Sequence, residues 1–192
     1  DLPQFVEGEN GNIYLIGQAF KGGGNGVVFQ SYLRNTDGSI NQRDIYAIKA
    51  SKQQEPSRLD RFRNEIRIIS QLRHERIASY YDNGEIAITL ADGTSATIPW
   101  VAMEIGNDNL QMQIQKYGHL APAMLLQVSS QMCDALQYFH SLGFIHRDIK
   151  PANFVWAKEF GCIKMIDFGI AKRLDEDVSG RPLDNFTRQQ EF

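Results

Sequence analysis

The most informative segment of this chain is His-Arg-Asp-Ile-Lys-Pro-Ala-Asn, at residues 146–153. Asp148 offers a carboxylate that can orient an attacking hydroxyl and accept its proton. Lys150 can neutralise charge on a phosphoryl group in transfer, and Asn153 offers an amide oxygen to magnesium, a cation that prefers oxygen ligands. Fourteen residues later, Asp167 opens an Asp-Phe-Gly triplet and supplies a second oxygen ligand. Each residue alone could be a turn residue or a helix cap, but all of them in this order are not expected from chance or from structural needs alone.

The elements around this segment are predicted to be mostly helical. Before it, apolar residues recur every three or four positions, which indicates one face of an amphipathic helix that ends near Gly143. These residues are Leu125, Val128, Met132, Ala135, Phe139 and Leu142. After the segment, two short apolar runs, Phe154–Trp156 and Ile163–Ile166, predict a small hairpin.

The first half of the chain reads mainly as strands. Short apolar runs separated by glycine and turn residues occur at Asn12–Ile16, Gly26–Leu33, Asp44–Ala50, Ile86–Leu90 and Ile98–Ile105. One amphipathic helix is predicted over Arg58–Arg73, with an apolar face made of Leu59, Phe62, Ile66, Ile69 and Leu72. We therefore expect a sheet-rich lobe with one helix, a hinge near Glu104–Asn107 and a helical lobe. The cleft between two such lobes is the default ligand site.

Lys49 is the second candidate site residue, because it lies inside an apolar strand. The two-residue period of a strand puts Ile45, Ala47 and Lys49 on one face. A single lysine is usually a solvated surface residue. A lysine that points into a cleft needs an anionic partner, and Glu65, at the edge of the apolar face of the following helix, can supply it. Such a pair would hold the ammonium where it can meet phosphate oxygens.

A glycine cluster lies between the first two predicted strands, at Gly22, Gly23, Gly24 and Gly26. Glycines at this place would let backbone N–H groups approach a polyphosphate without interference from a Cβ atom. The alternative is a flexible hairpin tip, because short glycine motifs often occur without a ligand.

The bulk composition excludes several classes of function. A net charge of −3 over 192 residues gives no support to nucleic-acid binding. Two cysteines, Cys133 and Cys162, are too few for a disulfide framework and fit a reducing compartment. No apolar run reaches the ~18 residues of a membrane span. With no signal peptide at the start of the chain, we expect a cytoplasmic, globular protein, and its oligomeric state stays open.

Together, these motifs resemble those of the eukaryotic-type (Hanks-type) serine/threonine protein kinases, and the resemblance covers nearly the whole chain. It implies an α+β, two-lobe fold. Residues 1–105 would form the N-lobe, with the glycine-rich loop, the lysine strand and its partner helix. Residues 106–192 would form part of the C-lobe, up to the start of the activation loop. The resemblance also implies ATP and Mg²⁺ as cofactors and a protein substrate.

The same resemblance assigns roles to individual residues. Asp148, Lys150, Lys49 and Glu65 would be catalytic, and Asn153 and Asp167 would hold the metal. The nucleotide would contact Gly22, Gly23, Gly24, Gly26, Val28, Ala47, Lys49, Met103, Glu104, Gly106 and Val155, with the backbone of Glu104 and Gly106 bonding adenine. Ile69, His146 and Phe168 would belong to a hydrophobic stack that joins the lobes. The Lys150-Pro151 pair is typical of kinases that act on serine or threonine.

The chain also departs from the family pattern. Lys21 occupies the position of the first glycine in the family's glycine-rich loop. Some segments resemble the dual-specificity spindle-checkpoint kinases, and others, such as Gly84–Pro99, resemble bacterial members, so the subfamily stays open. The chain stops at Phe192, within the expected activation segment. We therefore expect a truncated domain that is less stable and less active than a whole one.

Three further points stay open from the residues. Arg147 could pair with a phosphate on the activation loop, for which Thr187 is favoured over Ser179, although both hydroxyls could simply be solvated. A pseudokinase that only binds nucleotide is one alternative function. A small-molecule kinase of related fold is the other.

Overall fold

A computed structural model describes residues 3–20, 26–52, 55–89, 93–157 and 161–174 of the chain. Among these residues, six strands form one antiparallel sheet in the order β1-β2-β3-β4-β6-β5. The strands are β1 (Phe5–Glu7), β2 (Ile13–Phe20), β3 (Gly26–Arg34), β4 (Ile40–Ser51), β5 (Tyr80–Thr89) and β6 (Ser95–Glu104). The predicted sheet-rich first half is confirmed, with strands longer than their apolar runs suggested.

The sheet buries apolar residues on both faces. Ala47 on β4 belongs to one buried cluster, whereas its neighbours Ile48 and Ala50 belong to another. On β6, Met103 and Trp100 divide in the same way. Because successive side chains of a strand point to opposite faces, this division confirms the alternation predicted for the lysine strand. The face that carries Ala47 also receives the helix between β4 and β5.

That helix, α1, spans Pro56–Ile69 and is shorter than predicted. Proline suits the first helical turn because its missing N–H would have no partner there. The prediction of a helix to Arg73 was wrong, since after Ile69 the backbone hydrogen bonds no longer have the four-residue spacing of an α-helix. The N–H of Leu72 donates to the carbonyl of Ile69, three residues back rather than four. Leu72 is still buried, which explains why the apolar pattern continued past the helix.

The second half contains two helices and two short strand pairs among the described residues. They are α2 (Leu110–Tyr117), α3 (Pro122–Ser141), β7 (Phe144–Ile145), β8 (Phe154–Trp156), β9 (Ile163–Met165) and β10 (Lys172–Arg173), with a 3₁₀ turn at Pro151–Asn153. Strand β8 pairs with β9, and β7 pairs with β10, while an isolated bridge joins Asn109 to Val155. The hairpin predicted after residues 146–153, which form the predicted catalytic segment, is confirmed. No described helix is long and apolar enough to span a membrane.

The apolar face predicted for α3 was wrong at both ends. Leu125 is 52% exposed and Leu142 is 40% exposed, whereas Val128 and Phe139 are buried. Between them, Gln131 is buried and holds β9: its side chain donates to the carbonyl of Gly161 at 2.8 Å and accepts from the N–H of Ile163 at 2.8 Å. Hydrophobic periodicity could not find this contact, because the buried residue is polar.

An aromatic stack lies where α3, the catalytic segment and the Asp-Phe-Gly triplet meet. The rings of Phe139, His146 and Phe168 lie within 5.5–5.9 Å of one another, centroid to centroid. All three side chains are buried, and Ile69 of α1 lies in the same apolar core as Phe139 and Phe168. Burial lowers the pKa of His146, because a charged imidazole would lose its hydration there. Phe139 was predicted only as a helix-face residue, and the structure adds it to the stack.

A buried carboxylate lies on β5, the edge strand at the opposite end of the sheet from β1. Asp82 on β5 is fully buried and accepts hydrogen bonds from the backbone N–H of Asn10 and Asn83, the side-chain amide of Asn12 and the hydroxyl of Tyr14. These contacts tie the turn between β1 and β2 to β5. Burial, together with the Asp82 charge, raises the pKa of Tyr14, so its hydroxyl stays protonated and can donate.

We expect Asp82→Ala to lower the free energy of unfolding by about 1–3 kcal/mol, because it removes the acceptor of one buried donor, the Tyr14 hydroxyl, and of three partly buried ones. Denaturant unfolding of the variant would measure this loss. Asp60→Ala is the matched control, since the Asp60 side chain is 78% exposed. Equal stability of the two variants would contradict the structural role of Asp82.

Stability is also expected to depend on pH through His146. Its pKa is lowered in the folded state, so as the pH falls below about 6.5 the unfolded chain binds a proton that the folded chain resists. The free energy of unfolding should therefore fall between pH 7.5 and 5.5. His146→Phe should reduce this slope, and Met112→Leu, a change of an exposed residue that does not titrate, should leave it unchanged. Unfolding curves at several pH values would give the slope, and an unaltered slope in His146→Phe would refute the prediction.

Candidate active site

The candidate site begins with a buried ion pair between the sheet and α1. The ammonium Nζ of Lys49 on β4 lies 2.5 Å from Oε1 of Glu65, and their side chains are only 11% and 1% exposed. Burial by itself would lower the pKa of Lys49, but Glu65 and Asp167 outweigh it and raise that pKa. Burial raises the pKa of Glu65, against the opposing effects of Lys49 and the backbone N–H of Phe168. Lys49 therefore keeps its charge at this buried position.

Asp167 is the third member of this cluster. Its Oδ1 lies 3.5 Å from Nζ of Lys49, and it lies two residues after the end of strand β9. Asp167 has φ of +65°, a left-handed conformation that is uncommon for residues other than glycine. This turn directs a side chain from the end of β9 toward a lysine on the sheet of the first half. Lys49 thus faces carboxylates from two different elements.

The catalytic segment forms a second polar group around Asp148. Lys150 Nζ lies 2.6 Å from Oδ2 of Asp148, and Asn153 Nδ2 donates to the same oxygen at 3.0 Å and to the Asp148 carbonyl at 2.7 Å. The hydrogen bond from Lys150 is the main reason that the pKa of Asp148 is lowered. Asp148 is consequently ionised near neutral pH, and its side chain is 32% exposed, so a substrate can reach it.

Backbone contacts connect the two groups. The N–H of Ile166 donates to the carbonyl of Asn153 at 2.9 Å, which fixes Asn153 beside the residue that precedes Asp167. Both described hydrogen bonds of the Asn153 side chain use its amide nitrogen, so its amide oxygen is the atom that can ligate a cation. With the Asp167 carboxylate, this donor set suits magnesium, which takes oxygen ligands.

The residues predicted to surround adenine lie on adjacent strands. Val28 on β3 is the register partner of Lys49, and Ala47 is the partner of Met103 on β6. Ala47 and Met103 are buried in the main core, and Val28 packs against it. Beyond the end of β6, Gly106 lies against Val155 of β8. A Cβ atom on Gly106 would lie only 2.4 Å from Cγ2 of Val155, so no larger residue fits without movement.

The predicted glycine loop is described only at its last position. Gly22, Gly23 and Gly24 lie outside the described residues, as do Ser179 and Thr187. Gly26 opens β3, and a Cβ atom there would lie 2.8 Å from the carbonyl oxygen of Ala50 and 3.2 Å from Cγ of Lys49. A side chain at this position would therefore press on the strand that carries the site lysine.

The structure adds a second, partly buried lysine that the sequence interpretation missed. Lys164 on β9 donates to Oε2 of Glu104 at 2.8 Å, and the same oxygen accepts from the N–H and the hydroxyl of Ser79 at 3.1 Å each. These contacts hold the end of β6, where the backbone of Glu104 is predicted to meet adenine. A signal was present, since Lys164 lies between Ile163 and Met165 as Lys49 lies inside an apolar strand.

Comparison with known proteins places this arrangement in a family. The model of the protein kinase domain matches residues 15–192. A probable serine/threonine-protein kinase PknB of Bifidobacterium longum is 36% identical over 122 residues, which cover 63% of this chain and 18% of that protein. PknB of Mycolicibacterium smegmatis is 33% identical over 131 residues, 68% of this chain and 20% of its own length.

A probable serine/threonine-protein kinase of Streptomyces coelicolor is similar over a longer stretch. It is 30% identical over 167 residues, which cover 86% of this chain and 24% of that protein. The chain thus spans about a fifth of the length of the curated relatives it matches. The match of the family model across most of the chain, on a fold that joins Lys49, Glu65, Asp148 and Asp167 as described, shows that the chain belongs to the protein kinase domain family.

Proposed function

We propose that this protein transfers the γ-phosphate of ATP to serine or threonine hydroxyls of protein substrates, with magnesium. The observation that carries the proposal is the environment of Asp148, an ionised carboxylate held between Lys150 and Asn153. The names of the similar proteins and the Lys150-Pro151 pair favour serine and threonine as acceptors. The proposal treats residues 1–105 and 106–192 as the two lobes around the site.

In the proposed mechanism, Asp148 receives the substrate hydroxyl and takes its proton as the hydroxyl oxygen bonds to the γ-phosphorus. The bond from the γ-phosphorus to the bridging oxygen of ADP breaks, and ADP leaves with that electron pair. Lys150 lies beside Asp148 and neutralises charge on the phosphoryl group in transfer. Its hydrogen bond also keeps Asp148 ionised and therefore able to act as the base.

Lys49 holds the phosphates of ATP from the opposite side. An ammonium that stays charged despite burial can bind phosphate oxygens, and Glu65 keeps it at one position. Catalysis of this kind depends mainly on positioning and on preorganised charge, because phosphoryl transfer requires little covalent chemistry from the protein.

The oxygen ligands proposed for magnesium are the amide oxygen of Asn153 and the carboxylate of Asp167. When bound there, the ion would neutralise negative charge on the phosphates of ATP. Asp167 has two tasks in this arrangement, since it also faces Lys49 at 3.5 Å. Asp167 would therefore fix the position of the metal relative to Lys49, the lysine proposed to bind phosphate.

Adenine is proposed to lie between the sheet and β8. Val28, Ala47, Met103 and Val155 would provide its apolar contacts, and the backbone of Glu104 and Gly106 would bond its polar edge. The residues Gly22, Gly23, Gly24 and Gly26 would cover the phosphates. The ion pair of Lys164 with Glu104 supports a fixed position for the adenine-binding backbone.

Asp148→Asn is expected to lower phosphoryl transfer by about 10²- to 10⁴-fold, the usual contribution of a positioned base. ATP affinity should change little, because Asp148 is not among the groups proposed to bind nucleotide. The measurement is transfer of labelled γ-phosphate to a generic serine/threonine protein substrate by the intact protein, beside nucleotide binding. Asp60→Asn, at an exposed position on α1, is the control.

The possible results separate the rival functions. Full activity of Asp148→Asn would remove Asp148 from the mechanism. Nucleotide binding without transfer in the unmodified protein would instead favour a binding scaffold. Transfer to sugars or aminoglycosides but not to protein would favour a small-molecule kinase.

The contact of Gly106 with Val155 gives a separate test of the adenine site. Gly106→Ala should weaken ATP binding by about 10-fold or more, since the new methyl would collide with Val155 and displace the adenine-binding backbone. In the double variant with Val155→Gly, which removes both Val155 atoms that the new methyl would meet, the collision is largely relieved, so the two substitutions should be non-additive. Calorimetric affinities of the four proteins would measure this coupling, and strict additivity would argue against this site.

A further inference from the structure

The segment just after the Asp-Phe-Gly triplet is held by side chains from both halves of the chain. The carbonyl of Ile170 accepts a hydrogen bond from Nε of Arg147, in the catalytic segment, at 2.7 Å. The next carbonyl, that of Ala171, accepts from Nδ2 of Asn64 on α1 at 3.2 Å. Two successive backbone groups are therefore bonded by donors that lie on opposite sides of the site.

The side chain of Asn64 is oriented for this contact. Its amide oxygen accepts from Nη2 of Arg67, one helical turn further on, at 3.0 Å. A flipped amide would turn its NH₂ group toward the guanidinium, where donor would face donor. The contact with Arg67 thus favours the orientation in which the nitrogen of Asn64 points to Ala171.

The segment that accepts these two hydrogen bonds also packs against the second half of the chain. Ala171 is buried, and its N–H donates to the carbonyl of Phe168 at 3.0 Å. Lys172 and Arg173 then pair with Phe144–Ile145 as β10 and β7. This segment is therefore held in place by residues of the second half of the chain. Asn64 connects it to α1 in the first half.

Asn64 also immediately precedes Glu65, the partner of Lys49. The two side chains leave the helix from adjacent positions, so one placement of α1 satisfies both contacts. If α1 moves away, Glu65 leaves Lys49 and Asn64 leaves Ala171 together. The hydrogen bond of Asn64 consequently favours the same helix position as the buried ion pair.

We propose that Asn64 is a positioning residue that couples α1 to the segment following Asp167, so that the Lys49–Glu65 pair and the placement of Asp167 form together. The inference rests on the proposed kinase function and names a link that regulates it. Changes in the segment after the triplet would act on Lys49 through this hydrogen bond, and changes at α1 would act on Asp167.

The test uses Asn64→Leu, which keeps the side-chain size but removes the donor, in the intact protein. We expect the kcat of phosphoryl transfer to fall by about 2- to 12-fold, the range for one lost neutral hydrogen bond. In a Glu65→Gln background, the same substitution should have little further effect, because both residues act through the position of α1. Arg63→Leu, an adjacent exposed position that contacts Glu85, is the matched control and should leave kcat unchanged.

A second readout does not depend on activity. Hydrogen exchange of peptides that cover residues 168–174 should become faster in Asn64→Leu but not in Arg63→Leu, while the global unfolding midpoint stays the same. Additive effects on kcat, or unchanged exchange in this segment, would overturn the proposal, and so would faster exchange throughout the protein. If the unmodified protein transfers no phosphate, the proposed function fails, and the exchange result alone decides the role of Asn64.

Discussion

The ion pair of Lys49 with Glu65 is the interaction on which the rest of the site depends. Both charges lie in a protein interior, where an unpaired charge is costly, so each needs the other at close range. This requirement fixes α1 against the sheet at one place. It also explains why Glu65, a charged residue, lies in the buried face of α1 beside Phe62 and Ile69. In the proposed function, a lysine held in this way needs no rearrangement to bind the phosphates of the nucleotide.

A second constraint comes from the stack of Phe139, His146 and Phe168. Residues on either side of this stack carry the polar groups, Asp148 after His146 and Asp167 before Phe168. Because the rings are buried and in contact, their packing fixes the backbone that carries the two carboxylates. The uncommon backbone conformations of Arg147 and Asp167, both with positive φ, occur at these same junctions. Packing thus supplies rigidity to Asp148 and Asp167, the residues proposed to carry the chemistry.

Much of this arrangement could be predicted from local pattern. The strand alternation at Ala47 and Ile48, the small hairpin after the catalytic segment and the pairing of Lys49 with Glu65 all follow from residue type and spacing. Prediction failed where a contact broke the pattern. Helix α1 ends before Leu72 although the apolar spacing continues, and α3 buries the polar Gln131 while Leu125 is exposed. After α1, hydrogen bonds that span three residues replace those of the helix. In α3, the Gln131 side chain is buried because it bonds to the backbone of Gly161 and Ile163.

The amino-acid sequence by itself determined the family, the main elements around the site and the side chains proposed to carry the chemistry, because these are properties of residue identity and short-range spacing. Only the tertiary structure decided which partners hold them. Asn64 meets Ala171 across 107 residues, Lys164 meets Glu104 across 60, and Asn12 meets Asp82 across 70. Single polar residues of this kind have no periodic signal, since their partners are chosen by how the strands and helices pack together.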